Sequence, residues 1–133
     1  MAQTQPSATS RPISPHLTIW RWGPAMLVSI LQRVSGDGLA LVGLPVLLYW
    51  LAALVGGADS YAAFTAHATA WYGRVVLIGL SWAFINHLCS GLRHFVMDIG
   101  AGYELNRNAF WSVLSPLIAI VLTAAFWAAI LLR

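Results

Sequence analysis

Lysine is absent from this chain and charge of either sign is scarce, with seven arginines and four acidic residues among 133. Charged side chains make up 8% of the sequence and hydrophobic ones 59%, where an ordinary globular chain carries roughly 25% charged residues. So few charges cannot cover a water-soluble particle of this size, and the chain must face lipid. The formal net charge of +3 is scattered and leaves no basic patch of the kind that binds nucleic acid. A single cysteine, Cys89, excludes an internal disulfide and says nothing of redox compartment; it reads as a small, inert apolar residue. Residues 1–10 lack the charged start and apolar centre of a secretory signal and are too short and arginine-poor for a transit peptide. There is no internal repeat and no low-complexity tract, and the length allows one domain at most.

Within this apolar background one stretch stands out, Asn86-His87-Leu88-Cys89-Ser90-Gly91-Leu92-Arg93-His94-Phe95-Val96-Met97-Asp98. It closes a run from Val75 to Leu92 whose ionisable side chains are His87 and Cys89 alone. An ionisable group inside a membrane span is costly without a partner and marks a functional-site candidate. On a helix, His87, Gly91, His94 and Asp98 form one stripe. Imidazole is a common metal ligand and an axial ligand of haem iron, and Gly91 would let a large flat group lie against the backbone. The stretch alone equally admits a plain reading. His87 is then a satisfied helix residue, Gly91 a close helix–helix contact, and Arg93, His94 and Asp98 the interfacial end of a span.

Taken in order, the chain begins with a polar, Pro-rich arm over residues 1–24. Pro12, Pro15 and Pro24 push their preceding residues out of the α region, which predicts an extended arm, and Trp20 and Trp22 beside Arg21 suit the headgroup level. Residues 25–133 then form a membrane domain with three predicted spans, about 25–55, 69–97 and 109–132. In the first, Ser29, Gln32, Arg33 and Gly36 make a polar stripe on an otherwise apolar helix, and Pro45 falls inside the span, where neighbouring helices tolerate it. Gly56-Gly57-Ala58-Asp59-Ser60 is a turn cluster. Residues 61–70, with His67, read as a short loop or interfacial segment. Gly100-Ala101-Gly102 ends the second span, and Pro116 lies in the third.

Arginine placement gives the orientation. With the N-terminus in the cytoplasm, Arg11, Arg21, Arg33, Arg93 and Arg107 lie on the inner side, against Arg74 and Arg133 outside. Ser29, Arg33, His87, Arg93 and His94 then gather near one membrane face, with His87 about 9 Å deeper than Arg93 at 1.5 Å per residue.

Three blocks occur in a recognisable order: Arg11-Pro12-Ile13-Ser14-Pro15-His16-Leu17, Ser29-Ile30-Leu31-Gln32-Arg33-Val34-Ser35-Gly36, and His87-x-x-x-Gly91-Leu92-Arg93-His94-x-x-x-Asp98. Together they resemble the cytochrome b556 subunits of succinate dehydrogenases, the membrane anchors of respiratory complex II. The resemblance implies an all-α membrane protein of three transmembrane helices, part of a haem-binding bundle formed with a second hydrophobic anchor subunit. It further implies an iron–sulfur subunit and a flavoprotein subunit carrying FAD on the cytoplasmic face of a bacterial inner membrane, the short arm favouring a bacterium.

By the same resemblance His87 is an axial ligand of haem b, the opposite ligand coming from the partner anchor. Ser29 and Arg33 line a ubiquinone pocket, and Arg33 and His94 are candidates for haem propionate contacts. The chemistry agrees, because a hydroxyl and a guanidinium on one helix face can hydrogen-bond quinone oxygens, and positive charge stabilises the anion between two single-electron steps. One departure concerns Gln32, where the family usually has histidine; an amide can donate a hydrogen bond but cannot take up a proton. Ser35 replaces a common threonine and keeps the hydroxyl. The function implied is electron transfer from succinate through iron–sulfur clusters to ubiquinone, with no flavin chemistry on this subunit. The alternatives are the anchor of a fumarate reductase, and a structural anchor binding neither haem nor quinone.

Overall fold

The computed structural model describes Thr18 and residues 20–132. The predicted arm from residue 1 to Leu17 lies outside the described residues, and Trp20 to Gly23 precede the first helix without regular structure. Five α-helices follow: α1 (Pro24–Gly38), α2 (Leu44–Val55), α3 (Ala58–Thr69), α4 (Trp71–Asp98) and α5 (Leu105–Leu131), with a π-helical segment, Leu39–Gly43, joining α1 to α2. No strand occurs among the described residues. Among the described residues three stretches are long and apolar enough to cross a membrane: Pro24–Val55, Trp71–Asp98 and Leu105–Leu131. The chain is therefore a multi-pass, all-helical membrane protein.

Proline starts the first span and shapes its middle. Pro24 occupies the first helical turn behind an extended Gly23, where its missing N–H costs nothing. Pro45, inside the span, cannot close the helical bond to the carbonyl four residues back. The chain takes up this defect just ahead of it, in a π turn where the Leu44 N–H reaches back to the Leu39 carbonyl. Such an insertion is a recognised way of absorbing a break in the helical ladder.

Of the two readings of residues 61–70, a short loop or an interfacial segment, the loop does not hold: residues 61–69 belong to helix α3, which also takes in Ala58, Asp59 and Ser60 from the expected turn cluster. Ala58, Ala62, Ala63, Ala66 and Ala68 carry strong helix propensity, but their low contrast with Ser60, Thr65 and Thr69 leaves no apolar stripe to read. Gly57, at φ +88°, is the turn that reverses the chain, a conformation costly for any residue with a Cβ. Rings then hold α3 in place: Tyr49 and Phe64 pack edge to face at 5.2 Å, and His67 Nδ1 lies 2.7 Å from the Tyr72 hydroxyl. A Cβ on Gly73 would overlap the His67 carbonyl, so glycine is what lets the end of α3 meet the start of α4.

At the far end of α4 the Gly100 N–H bonds the Met97 carbonyl at 2.8 Å and the Ala101 N–H bonds that of Val96 at 3.3 Å. With Gly100 at φ +84°, this is a Schellman stop. Helices α1, α4 and α5 pack against one another through small and polar side chains: Ser35, Ala83, Asn86, Ser90, Ser112, Ser115, Ala119 and Thr123 are buried. Large apolar side chains such as Leu41, Val55, Phe84 and Leu117 are exposed. This is the arrangement expected in lipid, where outward burial of apolar groups gains nothing and small residues allow close backbone approach. Directed bonds add to it. Trp127 Nε1 donates to Ser81 Oγ at 3.2 Å, and Arg93 Nη1 donates to Asn108 Oδ1 at 2.7 Å and Ser112 Oγ at 3.2 Å.

Candidate functional site

His87 lies just past the middle of α4 and turns toward α1. Its Nδ1 lies 3.1 Å from the backbone carbonyl oxygen of Gln32. A carbonyl can only accept, so Nδ1 carries the proton and donates. Nε2 is then the lone-pair nitrogen, and it has no hydrogen bond among the described residues. The ring approaches this closely because position 36 is glycine: a Cβ there would stand 2.9 Å from His87 Cε1 and 3.3 Å from Nδ1. Ser35, 2% exposed, completes the cluster. Its Oγ donates to the same Gln32 carbonyl at 3.0 Å, lies 3.4 Å from His87 Nδ1, and accepts from Asn86 Nδ2 at 3.4 Å.

Nδ1 of a metal-ligating histidine commonly donates to a carbonyl or carboxylate, which fixes the tautomer and raises the basicity of the other nitrogen. The His87 arrangement has that form. Two further features suit a large flat ligand beside it. A Cβ built on Gly91 meets nothing within 4 Å, so of the two readings of this glycine the open space holds within the chain and the close helix contact does not. The Gln32 Oε1 atom is buried without a hydrogen-bond partner, an orphaned acceptor on the turn of α1 that holds the imidazole. The residues present therefore fit a haem with His87 as one axial ligand. Among the described residues no group of three His, Cys, Asp or Glu side chains could hold a metal ion by itself, so a metal at His87 would need the remaining ligands of a macrocycle and a partner.

The other expected site residues are distributed around this cluster. Ser29 is half-buried on α1 and Arg33 is exposed one turn further along. His94 is half-buried on α4 and Asp98 exposed. Ser29, Arg33 and His94 make no hydrogen bond among the described residues, so the fold brings them to one end of the bundle without joining them. Arg93 is committed elsewhere, tying α4 to α5 through Asn108 and Ser112. Cys89 is a free thiol; with Leu92, Arg93, Trp111 and Ser115 it lines a cavity of about 610 Å³ between α4 and α5. Neither His87 nor any residue of α1 lines that cavity, so its size is no guide to the histidine cluster.

A reading that follows only ionisable side chains gives no role to Ser35 and Asn86, and takes Gly36 only as part of the polar stripe on the first span. The signal for them was present: Ser35-Gly36 and Asn86-His87 are paired polar or bare positions in two otherwise apolar helices. Two such pairs facing each other across a bundle suit a buried hydrogen-bond cluster.

With the geometry in hand, the comparisons with known proteins are consistent with one another. The model of the succinate dehydrogenase/fumarate reductase transmembrane subunit family matches residues 7–130. The succinate dehydrogenase cytochrome b556 subunit of Paracoccus denitrificans is 36% identical over 98 residues, covering 74% of this chain and 75% of the relative. That of Rickettsia felis is 32% identical over 117 residues, covering 88% and 90%. The mitochondrial succinate dehydrogenase cytochrome b560 subunit of Mus musculus is 30% identical over 122 residues, covering 86% and 69%. A match across nearly the whole chain, together with three apolar spans, is decisive: the chain belongs to the succinate dehydrogenase/fumarate reductase transmembrane subunit family.

Proposed function

We propose that this chain is a membrane anchor subunit of a succinate:ubiquinone oxidoreductase, that it supplies one axial ligand to haem b through His87, and that Ser29 and Arg33 help form the ubiquinone site. The observation that carries the haem reading is the His87 Nδ1 bond to the Gln32 carbonyl at 3.1 Å, which leaves Nε2 as the donor atom for iron. Bound haem supplies a one-electron redox centre beside the route to quinone. The names of the curated relatives, cytochrome b556 and b560 subunits, support the same reading.

What the chain's own residues do follows from their placement. The Gln32 carbonyl orients the imidazole and holds its proton on Nδ1. Arg33 is exposed on a helix that otherwise seeks lipid, where a guanidinium costs on the order of 2.5–3.5 kcal/mol at mid-membrane and less near an interface on insertion scales, so a partner surface or ligand is favoured there. Its charge, with the Ser29 hydroxyl one turn away, can hold a quinone oxygen and favour the negative charge that develops on it during reduction. His94, seven residues beyond His87 on α4, and Arg33 are the candidates for propionate contacts. The N-terminal arm and the ends of α1 and α4 that carry these groups face the cytoplasm, where arginine is enriched. There they meet the iron–sulfur and flavoprotein subunits of a bacterial inner-membrane complex, with a second hydrophobic anchor alongside in the lipid.

The test is a reduced-minus-oxidised visible spectrum of the purified complex, reduced first with succinate and then with dithionite. A b-type band after both reductants is expected. A complex that reduces quinone yet shows no haem band would leave this chain as a structural anchor.

A further inference from the structure

We propose that Ser35 and Gly36 are positioning residues that seat the His87 imidazole and set its strength as a metal ligand; this inference rests on the reading of His87 as a haem ligand. Gly36 supplies the seat. A Cβ there would stand 2.9 Å from Cε1 and 3.3 Å from Nδ1, closer than side-chain carbons tolerate. To make room, the ring must move away from α1, and that motion lengthens its bond to the Gln32 carbonyl. The conformation of α1 gives no separate reason for glycine at this position, because Gly36 is helical and has no left-handed φ. Its missing side chain matters because of what lies against it.

Ser35 acts on the carbonyl itself. Its hydroxyl donates to the Gln32 oxygen at 3.0 Å, the same atom that receives His87 Nδ1 at 3.1 Å. Two side-chain donors on one acceptor, which also serves the ladder of α1, share its electron density, so the serine weakens the pull on the imidazole proton. Asn86 holds this arrangement from the α4 side: its amide, 1% exposed, donates to Ser35 Oγ at 3.4 Å and leaves the hydroxyl hydrogen for the carbonyl. A histidine whose Nδ1–H is pulled harder is a more basic ligand at Nε2, and a more basic ligand favours the ferric state. Ser35 therefore holds the haem potential above the value the carbonyl alone would set. The hydroxyl is the feature required, so threonine would serve equally and alanine would not.

The experiment compares His87→Ala, Gly36→Ala, Ser35→Ala and Ser35→Thr in the assembled complex. Each is read by haem content per complex, the ferric electron paramagnetic resonance spectrum and the midpoint potential. Gly36→Ala is expected to lose haem several-fold or to shift the resonance of what remains. Alanine is the better helix former, so haem loss from an assembled complex reports the seat and not a weakened helix. Ser35→Ala is expected to keep haem and move the midpoint potential to more negative values, with Ser35→Thr at the wild-type value. Haem retained in His87→Ala would defeat the ligand assignment itself. Haem lost in His87→Ala, but with Gly36→Ala and Ser35→Ala indistinguishable from wild type in content, resonance and potential, would leave the ligand in place and overturn the positioning roles. If Gly36→Ala does not assemble, the Ser35 pair decides: coincident potentials for alanine and threonine overturn the proposal.

Discussion

His87 on α4 and Gln32 on α1 are joined through the backbone of the second residue and not through its side chain: Nδ1 meets the main-chain carbonyl at 3.1 Å, while the amide oxygen Oε1 is buried without a partner. The relationship separates two roles at position 32 that a sequence cannot tell apart. Orienting the imidazole is independent of residue type, and contact with whatever lies beyond the amide is not.

Gln32→His should therefore leave haem content and axial ligation unchanged. It should alter the potential and its dependence on pH, because histidine can take up a proton where glutamine cannot. The sign follows from charge. Below the pKa of the new histidine a positive charge sits near the haem, the reduced form is favoured, and the midpoint potential rises as pH falls. Redox titrations of the two proteins from pH 6 to 8 check this; curves that overlay would remove the Gln32 side chain from the haem environment.

Arg93→Ala should weaken the fold of the chain while sparing its chemistry. The guanidinium donates to Asn108 Oδ1 at 2.7 Å and Ser112 Oγ at 3.2 Å, and Ser112 is 1% exposed. Hydrogen bonds to a charged group contribute roughly 1.5–3 kcal/mol each; without the guanidinium the half-buried Asn108 amide oxygen loses its donor, while Ser112 keeps its own bond to the Asn108 carbonyl at 2.7 Å. The expected outcome is a lower thermal midpoint and less complex in the membrane, with a normal haem spectrum in what assembles. Arg93→Lys should rescue incompletely, since one ammonium does not reproduce the guanidinium fork. A variant that melts like wild type would show that the α4–α5 contact is held by packing alone.

How far the sequence anticipates this architecture depends on the element. The spans are legible because uncharged runs of membrane length have few other uses, and the helices begin and end within a few residues of where charge and glycine place them. Helix α3 is not legible, because alanine mixed with serine and threonine supports a helix without displaying an apolar face; the rings of Tyr49, Phe64 and Tyr72 that hold it come from three helices. The histidine on α4 is conspicuous as an ionisable group in an apolar run. Its surroundings are not. Gly91, the nearer glycine in sequence, looks toward open space, whereas Gly36, fifty-one positions away, is the one against the ring. Ser35 passes for a minor substitution until its hydroxyl is found on the carbonyl that holds the ligand.

Arg33→Ala tests the quinone role. An interfacial arginine that only snorkels would be lost with little effect. An arginine on a quinone oxygen loses a charge-assisted bond of roughly 1.5–3 kcal/mol, which is about a tenfold to hundredfold loss in quinone reduction at 1.36 kcal/mol per tenfold. Succinate:ubiquinone activity should fall by that factor, while succinate-dependent reduction of a water-soluble dye that accepts electrons before the quinone site stays near wild type. Equal retention of both activities would end the quinone role for Arg33, and equal loss of both would point to failed assembly.

The central claim is that His87 provides this chain's ligand to haem b, and the most direct measurement is the difference spectrum of the complex carrying His87→Ala, purified with all its partner subunits. The ring is half-buried at a packed α1–α4 contact, and the other contacts of the bundle do not depend on it, so the complex should still assemble. The b-type band should be lost or strongly perturbed, with succinate-dependent dye reduction retained. An unchanged haem spectrum in an intact His87→Ala complex would contradict it and move the ligand to another histidine, with His94 the next candidate.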